Sequence, residues 1–397
     1  MKKLIVSLAL SLLISSAFAR TFFGPRVFEM RVNSDISVSN TGLAMQDSLV
    51  KKLVLDLKKM ADDIPDSGWN FNTIDDINLG FNLNLDRLFV GLKFGTQAFG
   101  NIDISKDFFD SIAKGTKPSE TINATADGFG DAFAYMETTV KFKVQKYGIT
   151  IKPAFFVPVA HAVVKDSGAK ICNKDDGSLI VDMDTDIDLY TAFGKNGISD
   201  FNIIETLGFD LAGEFEWPIL PKLTLTGKAR IPIVPGRLSY KKDIDINYHY
   251  ETKFQSMMNG ESATSEYNSK SGDYTQTSFS INRPMKFAIF ADFLPAGKFI
   301  TFTGGLGIGF LHPFTSDPDT FKAFPEYYIG ANMNLFNVFN LTLSTEYTDL
   351  LFQHMISVGL NLRVIEIDTG IAMASQNFEK SFACSGTRGF VTFCIGF

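Results

Sequence analysis

After its first 19 residues the chain has no unbroken apolar run of the about 20 residues that a helix needs to cross a bilayer. It has 3 Cys, 4 His and 2 Trp in 397 residues. No CxxC and no local Cys/His cluster occurs, so no metal and no cofactor is expected from spacing. No GxSxG, HExxH, phosphate-binding glycine loop or calcium loop appears, and catalysis is not expected. The histidines His161, His249, His312 and His354 are scattered. Ser357 alternates to the face opposite His354, which is poor geometry for a nucleophile and its base. Positive charge is also scarce: 37 Lys and Arg against 44 Asp and Glu, net −7. Nucleic-acid partners are usually met by basic chains, so none is expected.

What is abundant is apolar and aromatic: 45% hydrophobic residues and 39 Phe. Lys2 and Lys3, the apolar run Leu4–Ile14 and the small-x-small site Ala17-Phe18-Ala19 read as a cleaved export signal over residues 1–19. No Cys follows the site, so a lipid anchor is not expected. An odd cysteine count in an exported chain leaves at least one thiol outside a bridge. Cys384 and Cys394 are about 33 Å apart if extended and cannot pair. A Cys172–Cys384 bridge and three inert thiols both remain open.

The mature chain alternates with period two. Ile77, Leu79, Phe81, Leu83 and Leu85 share one face, with Asp76, Asn78, Gly80, Asn82 and Asn84 on the other. Ile356, Val358, Leu360, Leu362 and Val364 alternate with Ser357, Gly359, Asn361 and Arg363. Period two predicts strands rather than helices. Short turns near Asp86, Lys146, Pro221, Ala296, Asn337 and Val364–Ile365 alternate with long polar segments near 100–129, 165–202, 240–275, 313–324, 349–353 and 377–386. That arrangement predicts an all-β, transmembrane antiparallel β-barrel of about 14 strands. The expected strands are 26–39, 72–84, 86–99, 130–145, 147–164, 203–217, 222–239, 276–293, 297–311, 325–335, 338–348, 354–363, 365–376 and 387–397, with an internal plug as the alternative for 26–39. Residues 179–193 also alternate. They change the count or form a hairpin above the membrane. A soluble β-sandwich is the rival fold, but its strands average about five or six residues.

Before the barrel, Leu49, Val50, Leu53, Val54, Leu57 and Met60 recur at helical spacing, with charges on the opposite side. This predicts an amphipathic helix within residues 40–64, ended by Pro65 and Gly68. It either plugs the lumen or lies at a rim or loop. The expected division is a segment over 20–70 and a barrel over 71–397. A second short helix, carrying Phe108, Phe109 and Ile112, is expected after Ser105. The expected lumen charges include Lys141, Lys143, Asp210, Glu214, Glu216, Lys228, Arg230, Arg363 and Glu366, which pair across the wall or form a selectivity ring. Gly304, Gly305, Gly307 and Gly309 fall in a strand, where they allow bending or close backbone approach.

At the other end, Val391, Phe393, Ile395 and Phe397 alternate to a terminal aromatic residue. This ending, with Phe393, Ile395 and Phe397 as its signal residues, resembles the targeting signal of bacterial outer-membrane barrels. The layout resembles the FadL-type outer-membrane transporters of long-chain fatty acids and other hydrophobic compounds. It shares an exported segment ahead of the barrel, about 14 strands and a terminal Phe, and Ser39–Ala44 resembles that family's small-residue hatch. Over Arg31–Met60 and in length it is similar to uncharacterised spirochaetal outer-membrane barrels related to that family. The resemblance implies the bacterial outer membrane, its lipid, the barrel-assembly machinery and a hydrophobic small-molecule ligand. The expected function is a channel or transporter for small, hydrophobic molecules. The rivals are an open diffusion porin and a surface structural or adhesive barrel.

Overall fold

The computed structural model describes residues 26–41, 57–85, 88–115, 117, 119–253, 263–297, 299–382 and 385–397. The strands are β1 (Phe28–Asn40), β2 (Trp69–Leu85), β3 (Leu88–Ile104), β4 (Thr121–Val144), β5 (Tyr147–Asn173) and β6 (Ser178–Thr191). They continue with β7 (Gly208–Leu220), β8 (Leu223–Val234), β9 (Gly236–Lys253), β10 (Thr264–Ser271), β11 (Thr275–Ile281) and β12 (Met285–Phe293). The last six are β13 (Ile300–Leu311), β14 (Lys322–Leu335), β15 (Phe339–Thr348), β16 (Leu351–Asn361), β17 (Ile365–Ser375) and β18 (Gly386–Gly396). Among the described residues four short α-helices join them: α1 (Leu57–Asp63), α2 (Lys106–Lys114), α3 (Ile203–Thr206) and α4 (Phe378–Ser381).

Every pairing among these strands is antiparallel. The closed ring runs β1, β2, β3, β4, β5, β7, β8, β12, β13, β14, β15, β16, β17, β18 and back to β1, fourteen strands in all. Alternation explains the two faces. Ile77, Phe94, Phe155, Leu306, Ile371 and Val391 are exposed on the outside, a surface suited to lipid. The intervening residues face the lumen and are polar or aromatic. An eight-stranded barrel is narrow enough for side chains to fill it, and one of 16–18 strands leaves a water channel. Fourteen strands lie between these, so what fills the lumen decides what passes.

Five of the six short turns fall where the strand pattern places them, and the turn near Asp86 lies outside the described residues, between the paired Leu85 and Leu88. Between the paired Leu335 and Phe339, Phe336 and Asn337 both adopt positive φ, 56° and 57°, and the Val338 N–H closes the turn on the Leu335 carbonyl at 3.0 Å. Several boundaries differ from expectation: Ile203–Thr206 is helix and β7 starts at Gly208, β3 and β4 run into the segment 100–129, and three further differences bear on the architecture. First, β1 pairs with both β18 and β2, so the barrel begins at Phe28 and not at residue 71. Second, the spans 222–239 and 276–293 are each broken. Pro235 separates β8 from β9, and Asn282-Arg283-Pro284 separates β11 from β12. Proline has no N–H for a ladder, and both breaks fall at the same level of the wall. Third, much of 165–202 and 240–275 is strand rather than loop. β6 pairs with the upper part of β5, β9 pairs with β6, and β10 pairs with β9. This sheet stands above the ring, and β6 is the projecting hairpin strand that residues 179–193 offer.

Candidate functional site

The inward face of β4 orders the lumen by height. From the short-turn side it presents Lys143, Lys141, Glu137, Tyr135, Phe133 and Asp131. At the lowest level Lys141 Nζ donates to Glu216 Oε1 at 2.5 Å and Lys152 to Glu214 Oε1 at 2.5 Å. Lys143 is exposed near the turn. Lys228 lies 4.6 Å from the Phe290 ring centroid. One step up, Glu137 receives Arg230 Nη2 at 3.0 Å and faces Lys93 Nζ at 3.5 Å.

Arg283 fixes the next level. It sits in the β11–β12 break, is 1% exposed, and donates to Asp210 Oδ2 at 3.0 Å. Its Nε donates to Gln97 Oε1 on β3 at 3.2 Å, and its guanidinium lies 4.4 Å from the Tyr135 ring centroid. β12 and β3 are five steps apart around the ring, so this side chain reaches across the lumen. Tyr135 in turn donates to Asp76 Oδ1 at 2.8 Å. Above lies an aromatic layer of Phe99, Phe133, Phe156, Leu238, Phe279 and Ile281, all buried. Phe133 and Phe156 meet edge to face at 5.9 Å. The lumen thus carries a charged layer capped by an apolar one; the Arg283–Asp210 pair and the apolar residues are buried, and the Lys–Glu pairs below them are partly exposed.

At the loop-side mouth the connections cross over the layer. His312, just past β13, meets Asp131 of β4 at 2.5 Å, and Asp131 also meets His161 of β5 at 2.6 Å. Lys322 donates to Asn101 Oδ1 from the opposite wall at 3.4 Å, and Lys165 pairs with Asp317 at 2.7 Å. Higher still, in the projecting sheet, His249 meets Asp182 at 2.5 Å, and that hydrogen bond raises the His249 pKa above its ordinary 6.5. Lys241 bridges Asp188 and Asp243 at 2.9 and 2.8 Å, and those hydrogen bonds raise its pKa.

The sites expected from sequence distribute as follows. Lys141, Lys143, Asp210, Glu214, Glu216, Lys228, Arg230 and Glu366 lie on inward-facing strand positions. Arg363 does not. β16 ends at Asn361, so Arg363 sits in the following turn with φ 72°, where its carbonyl accepts from Arg26 Nε. Glu366 pairs with Arg26 at 2.8 Å. Leu49, Val50, Leu53 and Val54 lie outside the described residues, and Leu57 and Met60 fall within α1. That helix lies beside α2 on the loop side. Asp62 and Lys114 pair at 3.1 Å, and Lys106 Nζ donates to the Ile64 carbonyl at 3.0 Å. α2 is the helix expected after Ser105. Phe397 packs against Phe28 with centroids 5.6 Å apart, and its carbonyl accepts from Val27 and Phe28. Cys172 and Cys394 carry free thiols, and Cys384 lies outside the described residues. His354 Nε2 is 2.8 Å from Ser381 Oγ. Its other nitrogen meets Thr345 Oγ1 at 3.1 Å. Arg283 was not among the expected residues, because within the expected strand 276–293 alternation puts it on the outward face with Phe287 and Ile289. The convergence of Asp131, His161 and His312 is also invisible in sequence, since His312 and Asp131 are 181 residues apart.

No protein-family model matches the sequence, and no curated protein matches it. Among solved structures, the Pseudomonas putida toluene transporter TodX aligns at TM-score 0.48 and 7% identity, over 94% of this chain and 91% of that one. The Ralstonia pickettii toluene transporter TbuX aligns at TM-score 0.47 and 6% identity, over 94% and 90%. A Pseudomonas aeruginosa FadL homologue aligns at TM-score 0.43 and 10% identity, over 96% and 94%. With these scores below 0.5, the likenesses place the chain in no family, and the fold rests on the strand pairing itself.

Proposed function

We propose that this barrel sits in a bacterial outer membrane and carries small hydrophobic molecules through a gated lumen. The short turns then face the periplasm and the long connections face outward. The carrying observation is the aromatic layer inside an otherwise polar lumen. Phe133, Phe156, Leu238, Phe279 and Ile281 are buried there, directly above the Arg283–Asp210 pair. A water-filled porin has no use for a dry apolar layer, which blocks hydrated ions and sugars. A hydrophobic solute gains by leaving water for such a layer, at about 25 cal/mol per Å² of apolar surface buried. The charged layer beneath then separates the solute from the periplasm until it yields.

Purified protein in planar bilayers and in liposomes provides the test. The expected result is low resting conductance, little uptake of a small sugar, and saturable uptake of a small aromatic hydrocarbon. Large, steady conductance with equal passage of the sugar would establish an open porin and overturn the proposal. No uptake of either solute would overturn it as well.

A further inference from the structure

Asp131, His161 and His312 form a cluster that the transport reading does not use. All three are buried, at 5%, 0% and 3% exposure, and one donor atom from each lies within 4.8 Å of the others. Their surroundings are aromatic: Phe129 lies 4.9 Å from the His312 ring and Phe279 4.9 Å from the His161 ring.

Hydrogen-bond accounting shows what the cluster lacks. His312 Nδ1 is 3.1 Å from the Thr320 carbonyl oxygen. A carbonyl only accepts, so Nδ1 carries the hydrogen. In a neutral imidazole the other nitrogen, Nε2, is then a bare lone pair. Yet Nε2 lies 2.5 Å from Asp131 Oδ2, itself an acceptor. Two acceptors facing one another require a cation: a second proton on Nε2 at the distance as it stands, or a metal ion once the two atoms draw apart. A histidine whose Nδ1–H is tied to a backbone carbonyl, leaving Nε2 free to bind, is the usual arrangement of a metal ligand. The second carboxylate oxygen faces His161 Nδ1 at 2.6 Å, and His161 Nε2 is buried with no partner of its own.

The geometry points to a divalent transition-metal site of the zinc class, with Asp131, His161 and His312 as ligands. Two imidazoles and one carboxylate suit zinc and its neighbours. Calcium, by contrast, takes six to eight oxygens and is poorly served here. Metal–ligand distances of about 2.0–2.2 Å would hold the donor atoms roughly 3.3 Å apart. The carboxylate therefore draws back by less than about 1 Å from each imidazole on loading. The ion joins three places in the wall: β4, β5 and the connection between β13 and β14. It thereby staples that connection across the mouth, where Lys165–Asp317 and Lys322–Asn101 already hold it.

Chelator-treated full-length protein in detergent, titrated with zinc chloride by calorimetry and with cobalt chloride by visible absorption, tests the assignment. One saturable equivalent of zinc is expected, with the intense visible bands of four-coordinate cobalt and no binding of calcium. His312→Ala and His161→Ala should each weaken zinc binding by more than about 100-fold, since even outer-shell losses reach 10–100-fold. His249→Ala, in the projecting sheet, should leave it unchanged. Heat-modifiable gel mobility reports whether each barrel is folded. If an alanine variant fails to fold, the near-isosteric Asp131→Asn replaces it and should lose the zinc equivalent. Absence of saturable zinc binding to the folded parent, or binding unchanged in folded His312→Ala or Asp131→Asn, would overturn the site and leave a second proton as the cation.

Discussion

Arg283 carries a charge where none is cheap to keep. It is buried against Asp210, which has no other charged hydrogen-bond partner in the described residues, and its remaining contacts are Gln97 and the Tyr135 ring. Removing one partner of such a pair strands the other charge without water, which destabilises by about 3–5 kcal/mol. Arg283→Ala should therefore lower the unfolding free energy of the barrel by that much, seen as a lower urea midpoint, and open a leak, because the side chain itself bridges the lumen. A midpoint within experimental error of the parent, with conductance unchanged, would show that the layer does not depend on this residue. Asp210 could be expected from alternation alone, because it occupies an inward position on a regular strand. Arg283 could not, because its direction is set by the β11–β12 break rather than by pleat. A second residue-scale prediction concerns His249, which lies in the sheet that projects above the ring. Its hydrogen bond to Asp182 raises its pKa above 6.5. A raised folded-state pKa means the contact favours the fold fully below the unfolded value near 6.5 and loses that contribution as pH climbs through the raised value. An imidazole NMR titration should place the midpoint above 6.5, and Asp182→Asn should bring it back down. Equal midpoints in the two proteins would sink this reading.

Two adjacent glycines separate the faces of one strand. On β13, Gly304 looks outward, and a Cβ there would meet nothing within 4 Å. Gly305 looks inward, and a Cβ there would overlap the Phe290 ring of β12, the same ring that Lys228 covers. Gly305→Val should thus displace Phe290 and cost about 1–3 kcal/mol, as overpacking does. Gly304→Val should be neutral or stabilising, because a β-branched residue suits an outward strand position. Equal shifts in the denaturant midpoints of the two variants would remove this account of the pair. The element pattern was legible where the period held without interruption, which is why fourteen wall strands and six short turns follow from alternation. It failed at Pro235 and Pro284, where periodicity continues on both sides of a residue that cannot pair. It also failed over 240–275. There Ser, Asn and charges look like loop, yet cross-strand pairing with β6 supplies the order that composition withholds.

At the scale of the molecule, the ring stands or falls on its first strand. A barrel has no edges only if the last strand finds the first, and β18 pairs with β1 from Glu29–Gly396 to Ser39–Gly386. Side chains reinforce that seam. Arg388 holds Asp35 at 2.7 Å and Glu346 at 2.8 Å, and Arg26 reaches Glu366 at 2.8 Å. The helical spacing of residues 49–60 draws the eye toward a separable leading segment, but the alternation of 26–39 just before it already signals a wall strand. The two readings differ in one experiment. If the residues before 71 were a dispensable leading segment, deleting 26–40 would leave a barrel able to close. If β1 is wall, the same deletion leaves β18 and β2 as unpaired edges, each a template for intermolecular pairing. The mature chain lacking 26–40 should therefore fail to give the heat-modifiable band and should aggregate on refolding, whereas Asp35→Asn, which only weakens the seam, should fold with a lowered midpoint. A heat-modifiable, monomeric product from the deletion would show that thirteen strands can close without β1, and the barrel would then begin after residue 70.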